Sequence, residues 1–395
     1  MRTMRLGPEA RRRRLVGVGG VGTGIFFALE GDHDLGRNES RMGRLLDVRD
    51  YCKLHIIAHY VAVLLGAKKS GWPFHVLPVA RVGDDDRGRR LIAEMAAAGM
   101  DTRYVKLDPK RPTLFSVCFQ YPDGTGGNIT TSDSAAAALS PRDLDEVRPW
   151  LSSPEGGLMV LAAPEAPLET RMHLLKLATR AGAFRAASLT TGEIPAARKL
   201  GMFSMLDLLS VNQEEASALL GKCFDPASPG TLLECRAEAL KDFHGRARIV
   251  VSAGARGAFG FDLALGKWDY CPAPPVKVAS TAGGGDALLA GLICGEAAGM
   301  PFIISAARRK RLTDRPLSSA LDFAVLLASL TVTSPHTIHP DVNLDAIVRF
   351  ARAAGVRFAP EINIHFRSGQ REIRSQRPTG RTLRRTTRER THFLV

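Results

Sequence analysis

The middle of the sequence alternates short apolar segments with longer segments of helical periodicity, and this alternation constrains the fold more than any other feature. Apolar runs predict strands at 158–162, 184–189, 206–211 and 249–252. Helical periodicity falls between them at 167–181, 214–220 and 232–243. Successive strands joined by helices of this length must run parallel, since each crossover returns the chain to the same end of the sheet. The alternation therefore predicts a three-layer α/β fold with a mostly parallel central sheet.

The segments on either side complete the predicted sheet and add a small β flap. Strands are predicted at 15–20, 25–30, 74–79, 258–262 and 268–271, and helices at 54–65, 87–98, 141–151, 286–298 and 318–331. Strands at 114–120 and 128–131 flank Pro122-Asp123-Gly124, which is typical of a hairpin turn. We expect a flap, or lid, built from residues 20–45 and 112–132.

The excess positive charge is concentrated at the two ends of the chain. Of a formal net charge of +14, residues 1–14 carry +5 and residues 361–395 carry +6, which leaves +3 for the 346 residues between them. We therefore expect one domain over 15–360, a basic extension before it and a disordered, Arg-rich tail after it. A basic groove for nucleic acid is not expected; contact of the tail with nucleic acid or acidic lipid is the alternative.

The remaining composition indicates a cytoplasmic protein. The six cysteines are scattered without a Cys-x-x-Cys pair, which favours reduced thiols over disulfides or a zinc site. No apolar run reaches the ~18–20 residues of a membrane span, so we expect no membrane association. Arginines at 11–14 followed by an apolar stretch at 15–29 resemble an export signal, but five glycines dilute that stretch.

Three consecutive glycines, Gly283, Gly284 and Gly285, precede Asp286 and an apolar helix. Glycines directly before a helix expose several backbone N–H groups toward one point, and the helix dipole adds about half a positive charge there. Such a nest holds an anion and stabilises the charge that spreads over a phosphoryl group during transfer. Asp286 lies beside the nest and could take a proton from an attacking hydroxyl. The alternative is an ordinary glycine-rich turn in which Asp286 only starts the helix.

Two further segments follow predicted strands, where α/β sheets bind ligands. Asn212 and Glu215 come directly after the strand at 206–211 and could hold water around Mg²⁺ bound to phosphates; a helix cap followed by solvated acids is the alternative. The small residues at 252–257 would let the backbone approach a flat or phosphorylated ligand, or form an ordinary β turn. The residues at issue in that loop are Ser252, Gly254, Arg256 and Gly257.

In this order the three segments resemble the PfkB, or ribokinase-like, family of carbohydrate and nucleoside kinases. The family's signature is a [DNS]-T-x-G-[AG]-G-D box, which stands here as Ser-Thr-Ala-Gly-Gly-Gly-Asp at 280–286, followed by the small residues Ala290 and Gly291. Val-Gly-Asp-Asp at 82–85 looks like a second family motif. The likeness spans residues 15–358 and implies a ribokinase-like fold with a small β lid.

The resemblance also implies roles for individual residues. Asp286 would be the catalytic base, and Ala282 with the glycines at 283–285 would form the anion hole. Asn212 and Glu215 would match the family's N-x-x-E element for Mg²⁺ and phosphate, with Glu215 acting on the metal through water. The ATP-side loop would comprise Ser252, Gly254, Arg256 and Gly257.

The acceptor-binding motifs of that family are absent. The usual Gly-Gly and Asn at the start of one helix are replaced by Asp-Tyr-Cys-Lys-Leu-His at 50–55, and the usual early Asp is replaced within the glycine-rich segment 20–24. Ser280 instead of the commoner Asp weakens the case for a monovalent-cation site. The candidate acceptor residues are Asn38, Asp50 and Lys53, with exposed loop side chains as the alternative. Lys53 would suit an acidic or phosphorylated acceptor.

The sequence therefore predicts an enzyme that moves the γ-phosphoryl group of ATP to an alcohol of a sugar or sugar-like small molecule, with ATP and Mg²⁺ as cofactors. A non-catalytic nucleotide- or sugar-binding protein on the same fold is the alternative. Pairing of two copies of the chain stays open. A Gly-x-Gly-x-x-Gly match at 17–22 would indicate a dinucleotide site only if a helix followed it, whereas residues 25–30 read as extended.

Overall fold

The computed structural model describes residues 2–6, 12–70, 72–122, 126–152, 157–304 and 309–366. The strands in these ranges are β1 (Arg12–Val18), β2 (Gly22–Leu29), β3 (Gly43–Leu46), β4 (His75–Gly83), β5 (Val105–Asp108), β6 (Leu114–Gln120), β7 (Gly126–Thr130), β8 (Gly157–Ala162), β9 (Phe184–Ser188), β10 (Leu208–Asn212), β11 (Arg248–Ser252), β12 (Ala258–Asp262) and β13 (Lys267–Cys271). The α-helices are α1 (Lys53–Leu65), α2 (Asp86–Ala97), α3 (Arg148–Ser152), α4 (Leu168–Arg180), α5 (Ile194–Lys199), α6 (Gln213–Leu220), α7 (Thr231–Glu234), α8 (Gly284–Ala298), α9 (Ala320–Thr331), α10 (Leu344–Ala353) and α11 (Pro360–Asn363). Within these ranges, no helix has the length and apolar character needed to cross a membrane.

One large sheet runs through the molecule in the strand order β13-β12-β11-β10-β9-β8-β1-β4-β5. The strands from β11 to β5 are parallel to one another, whereas β12 and β13 form an antiparallel hairpin at one edge. This arrangement confirms the predicted α/β class and the mostly parallel sheet. The sequence analysis missed β5, because this edge strand has only four residues and two of them, Lys106 and Asp108, are charged.

Alternating side chains of β1 show how the sheet is covered on both faces. Leu15 belongs to a core shared with α1, α8 and α9, while Val16 and Val18 belong to a second core shared with α4. Helix α1 packs directly on the strand, since a Cβ at Gly17 would lie 2.6 Å from Leu54 Cδ1. Helices on both faces of one sheet confirm the three predicted layers.

A second sheet forms the flap, in the strand order β3-β2-β6-β7. β6 and β7 are the predicted hairpin, but the turn residues Asp123 and Gly124 lie outside the described residues. β2 pairs in parallel with β6 and antiparallel with β3, so backbone hydrogen bonds join the two segments predicted for the flap. β3 was not predicted from the sequence, because the polar and turn-forming residues around this short strand are typical of a loop.

Two predicted helices are wrong in extent. The helix predicted at 141–151 is a 3₁₀ turn capped by Ser140 followed by the short α3, because Pro149 lacks the N–H group that a continuous helix needs. The helix predicted at 232–243 ends as α7 at Glu234. The chain then turns, so that Leu240 and Phe243 reach the core from successive turns rather than from one helix face.

Both ends of the folded domain extend beyond the predicted boundaries. The arginines at 12–14 belong to β1, although the basic extension was predicted to reach residue 14. At the other end, residues 361–366 are ordered and not part of a disordered tail, because Phe366 packs its ring 5.5 Å from that of Phe323 and 4.6 Å from that of Phe358. The rest of the predicted tail, 367–395, lies outside the described residues.

Two histidines one turn apart on α1, His55 and His59, are enclosed by protein. The ring centroid of His55 lies 4.6 Å from that of Tyr51 and 6.1 Å from that of His59. In both histidines Nδ1 is buried and has no hydrogen-bond partner among the described residues. Burial lowers the pKa of both imidazoles, that of His59 to about 4.

We predict that acid destabilises the fold through these two histidines. Their folded pKa lies below the unfolded value of about 6.5, so below that pH the unfolded chain binds protons that the folded chain excludes. Each histidine then costs up to about 1.4 kcal/mol of unfolding free energy per pH unit. Denaturant titrations of the variant His55→Gln/His59→Gln should show a shallower loss of stability below about pH 6.5.

The exposed residue His33 provides the control for this prediction. His33→Gln should keep the wild-type dependence of the unfolding free energy on pH, because its side chain is 68% exposed. A wild-type slope in the His55/His59 double variant would contradict the assignment.

Candidate active site

The glycine-rich turn before α8 is built around a left-handed backbone at Gly283. Gly283 (φ 79°) caps the helix, which begins at Gly284, two residues before the predicted start. A Cβ at Gly283 would lie 2.2 Å from the carbonyl oxygen of Thr337, so the close backbone contact requires glycine. A Cβ at Gly285 would have no heavy atom within 4 Å, which leaves this face of the first turn open to a ligand.

Ser280 organises the same turn. The N–H group of Ala282 donates to Ser280 Oγ at 3.2 Å, and that of Gly284 donates to the carbonyl oxygen of Thr281 at 3.3 Å. The turn thus brings Ala282 and the three glycines to the N-terminus of α8. An anion is favoured there by the helix dipole.

Asp286 lies in the first turn of α8 and faces Lys53, the first residue of α1. The side chain of Asp286 is only 12% exposed, and its Oδ2 lies 4.0 Å from Lys53 Nζ. Burial raises the pKa of Asp286, and the positive charge of Lys53 lowers it. The pKa of Lys53 is raised in turn, most strongly by Asp286. The lysine therefore opposes the effect of burial and favours the ionised carboxylate.

Lys53 is surrounded by an acidic cluster, which we define as Asp50, Glu165, Glu215 and Asp286. The positive charge of Lys53 lowers the pKa of each member. Burial acts in the opposite direction on all four, and together with the charge of Glu165 it raises the pKa of Asp50 to about 7. Asp50 and Lys53, two of the three candidate acceptor residues, thus lie close to Asp286.

The glycine-rich segment 20–24 makes room for two of these acids. A Cβ at Gly24 would lie 2.4 Å from Asp50 Oδ2, and a Cβ at Gly20 would lie 2.4 Å from Glu165 Cβ. The hydroxyl of Thr23 donates to the carbonyl oxygen of Asp50 at 2.9 Å, which fixes the backbone before α1. The absence of side chains at 20 and 24 therefore has a structural purpose.

Glu165 is a site residue that the sequence analysis missed. Its Oε2 accepts a hydrogen bond of 3.0 Å from the backbone N–H group of Lys53, 112 residues earlier in the chain. Its backbone is left-handed (φ 68°), which is uncommon for a residue other than glycine and costs energy. The available signal was its place directly after β8, at the carboxyl end of a parallel strand.

Asn212 and Glu215 form the helix cap that the sequence analysis held as the alternative. The Asn212 N–H group donates to Glu215 Oε2 at 2.8 Å, and the Glu215 N–H group donates to Asn212 Oδ1 at 2.8 Å. Among the described residues, no three His, Cys, Asp or Glu side chains are placed so that they could together hold a metal ion. The donor set therefore fits Mg²⁺ only if phosphate and water oxygens supply most of its ligands, as Mg²⁺ commonly requires.

A cleft of about 1130 Å³ opens in front of the glycine turn. Its polar end includes Gly284, Gly285 and Asn212, and its apolar walls include Val278 and Leu288. The predicted loop residues that line it are Ser252, Gly254 and Gly257. A cleft with apolar walls that leads to the N-terminus of a helix is suited to a nucleotide whose phosphates point to that N-terminus.

Two predicted site residues, Arg256 and Asn38, do not line the cleft. The Nη2 of Arg256 nevertheless donates at 3.0 Å to Oε1 of Gln213, which does line it, and the carbonyl oxygen of Arg256 accepts from the hydroxyl of Tyr270. Asn38 occupies an exposed turn between β2 and β3, and its left-handed backbone (φ 59°) accounts for asparagine there.

The Gly-x-Gly-x-x-Gly match at 17–22 is followed by β2 and not by a helix. The helix N-terminus that would bind the pyrophosphate of a dinucleotide is therefore missing at this position. The extended conformation predicted for residues 25–30 is confirmed by β2.

Comparison with known proteins agrees with the fold. Residues 61–343 match the pfkB family carbohydrate kinases. The bifunctional protein HldE of Bradyrhizobium diazoefficiens is 26% identical over 236 residues, which are 56% of this chain but only 44% of that relative. A ribokinase of Dictyostelium discoideum is 22% identical over 275 residues, 67% of this chain and 81% of that protein.

A solved structure shares the architecture. The ribokinase of Cryptococcus neoformans var. grubii serotype A, crystallised in complex with ADP, superposes with a TM-score of 0.65 at 21% identity, over 86% of this chain and 99% of that one. At this identity the likeness establishes the ribokinase-like fold. Together with the family match over 61–343, it identifies the chain as a member of the PfkB family of carbohydrate kinases, which are phosphotransferases.

Proposed function

We propose that the protein transfers the γ-phosphoryl group of ATP to an alcohol group of a sugar or sugar-like acceptor, with Asp286 as the catalytic base. The observation that carries this proposal is the buried carboxylate of Asp286, which lies in the first turn of α8 behind an open glycine turn and 4.0 Å from Lys53. A base, an anion site and a nucleotide-sized cleft are the parts that phosphoryl transfer needs.

In the proposed reaction Asp286 accepts the proton of the acceptor hydroxyl while that oxygen attacks the γ-phosphorus. The bond between the γ-phosphorus and the bridging oxygen breaks, and ADP leaves with the electron pair. Backbone N–H groups at 283–285 would stabilise the negative charge on the transferring group, together with the dipole of α8. Asn212 and Glu215 would hold Mg²⁺ through water, and the metal would supply charge neutralisation on the phosphates.

The acidic cluster supports a neutral, hydroxyl-rich acceptor. Asp50 and Glu165 face the same space as Asp286, and carboxylates accept hydrogen bonds from hydroxyl groups. An acidic acceptor would meet repulsion there, and Lys53 is already engaged by Asp286. We therefore no longer expect Lys53 to select an acidic or phosphorylated acceptor. Asp50 and Lys53 remain candidate acceptor residues, and Glu165 joins them.

The flap would close over this acceptor space. Cys118 on β6 is close enough to Asp50 and Glu165 for their charges to add to burial and raise its pKa to about 12. A strand of the flap therefore lies beside the acids that would bind the acceptor. Closure would exclude water and limit wasteful hydrolysis of ATP.

Replacement of the base tests the proposal. Asp286→Asn should lower kcat by about 10²–10⁴-fold while ADP binding, measured by calorimetry, stays near wild type. The assay is Mg·ATP-dependent ADP release across sugars, sugar acids, sugar phosphates and nucleosides. Asp86→Asn is the control, because Asp86 is a fully exposed carboxylate in the first turn of another helix. Wild-type turnover in Asp286→Asn would refute the role of this residue.

The effect of Lys53 on Asp286 should be visible in the dependence of kcat/KM on pH. In Lys53→Met, burial acts unopposed and raises the pKa of Asp286, so the acid limb of kcat/KM should move to higher pH. Activity lost at neutral pH should return in part as the pH rises. Lys53→Arg keeps the positive charge and should leave the acid limb near its wild-type position. A loss of activity that is independent of pH in Lys53→Met would show that the lysine does not act on the base.

Two glycines of the turn should have different roles: Gly283 should be needed for the structure, and Gly285 should face the ligand. Gly283→Ala places a Cβ against a backbone carbonyl and should lower the melting temperature. Gly285→Ala meets no protein atom within 4 Å and should keep the wild-type melting temperature but weaken ADP binding, because its Cβ lies on the open face of the turn. Equal effects of the two substitutions on stability would contradict this division.

A further inference from the structure

The cleft has a distal end that the proposed reaction does not use. Beyond its apolar walls it is lined by Lys310, Arg311 and Thr313. These residues lie far from the glycine turn. The position of helix α9 along the cleft gives the distance.

Helix α9 lines the cleft, and its length gives the approximate distance between the two ends of the cleft. Its C-cap residue Val332 lies at the phosphate end, because its carbonyl oxygen accepts from the N–H group of Ala279 at 2.8 Å. Asp322 lies in the first turn of α9 and binds Arg309, directly before the distal residues. Ten residues of helix separate Asp322 from Val332, which corresponds to about 15 Å at 1.5 Å per residue. A nucleotide with its phosphates at the glycine turn would therefore extend its base toward Lys310 and Arg311.

The walls between the two ends suit a flat base. Val325 and Ala328 of α9 line the cleft, as do Pro274, Pro275 and Val276. A purine held between these apolar side chains would keep the polar atoms of its edge directed outward, toward the distal residues.

The distal segment is held in place by ion pairs that join Arg309 and Arg315 to the buried carboxylates of Asp269 and Asp322. Arg309 is 6% exposed and its Nη2 donates to Asp322 Oδ1 of α9. Arg315 donates from Nη2 to Asp269 Oδ2 of β13 and from Nη1 to the carbonyl oxygen of Ile304. The residues between the two arginines are therefore presented from a fixed segment rather than from a free loop.

Lys310 and Arg311 present hydrogen-bond donors to the cleft. Their backbone N–H groups donate to Asp314 Oδ2 at 2.8 and 2.9 Å. Among the described residues neither side chain forms an ion pair within 4.0 Å, although the charge of Arg311 contributes to lowering the pKa of Asp314. An ammonium and a guanidinium group only donate hydrogen bonds, so they match acceptor atoms on a ligand.

The edges of the two common purines differ in this respect. Guanine presents O6 and N7, both acceptors, whereas adenine presents the N7 acceptor beside the N6 amino donor. Arginine or lysine bound to O6 and N7 is a common specific contact to guanine. Two cationic donors at the base end therefore match guanine better than adenine.

We propose that Lys310 and Arg311 read the edge of the nucleotide base and select a 6-oxopurine, so that guanine nucleotides bind this cleft more tightly than adenine nucleotides. This inference rests on the proposed use of a nucleoside triphosphate and adds GTP to ATP as a phosphoryl donor. Specificity for the phosphoryl donor would then lie in the segment that contains Lys310 and Arg311, outside the glycine turn.

Calorimetric titration of the full-length protein with ADP, GDP and IDP in the presence of Mg²⁺ tests this inference without knowledge of the acceptor. GDP and IDP should each bind about tenfold more tightly than ADP, the lower part of the range for a good contact to a base edge. IDP shares O6 with GDP but lacks the 2-amino group, so it isolates the contribution of O6. In Lys310→Ala/Arg311→Ala the three diphosphates should bind with nearly equal affinity.

A matched control removes the same charges elsewhere on the surface. Arg246→Ala/Lys267→Ala changes two exposed residues that do not line the cleft and should keep the preference for GDP. ADP binding as tight as GDP binding in the wild type, or a preference that survives Lys310→Ala/Arg311→Ala, would overturn the inference and leave the proposed phosphoryl transfer intact. Failure of all three diphosphates to bind would overturn both.

Discussion

The ion pair between Lys53 and Asp286 is the interaction on which the rest of the site depends. A carboxylate that is 12% exposed would favour its protonated form unless a cation lies close by. The two residues stand at the N-termini of α1 and α8, which pack into the same core on one face of the sheet. The position of Asp286, the proposed base, relative to Lys53 is therefore set by the packing of two helices, so the geometry of the site and the stability of the core are coupled.

The glycine segment between β1 and β2 imposes the second constraint on the site. Judged by sequence alone, this segment lacks the early Asp that the family resemblance led us to expect. In the structure, the missing side chains at Gly20 and Gly24 give space to Glu165 and Asp50, which come from distant parts of the chain. Two carboxylates thus lie where we propose that the acceptor binds, although neither stands at the position of the missing acid in the sequence.

The part of the account that could be predicted from sequence is the part fixed by local physics. The parallel sheet and the helix after Gly283 follow from apolar periodicity and from glycine's backbone freedom. Glu165 could not be found this way, because its role depends on a hydrogen bond to Lys53, 112 residues away. The early start of α8 was missed because glycines disfavour a helix, and close contact with Thr337 overrides that preference.

The central claim is that the chain forms a phosphomonoester from Mg·ATP and an alcohol. ³¹P NMR of the full-length protein incubated with Mg·ATP and a panel of sugars and nucleosides tests it most directly, since it detects the product and ADP in one spectrum. The account predicts a new phosphomonoester resonance, equal in amount to the ADP formed, for one class of neutral hydroxyl-rich compound. ADP binding without any phosphomonoester across the panel would contradict the account and favour a protein that binds nucleotide without transferring phosphate.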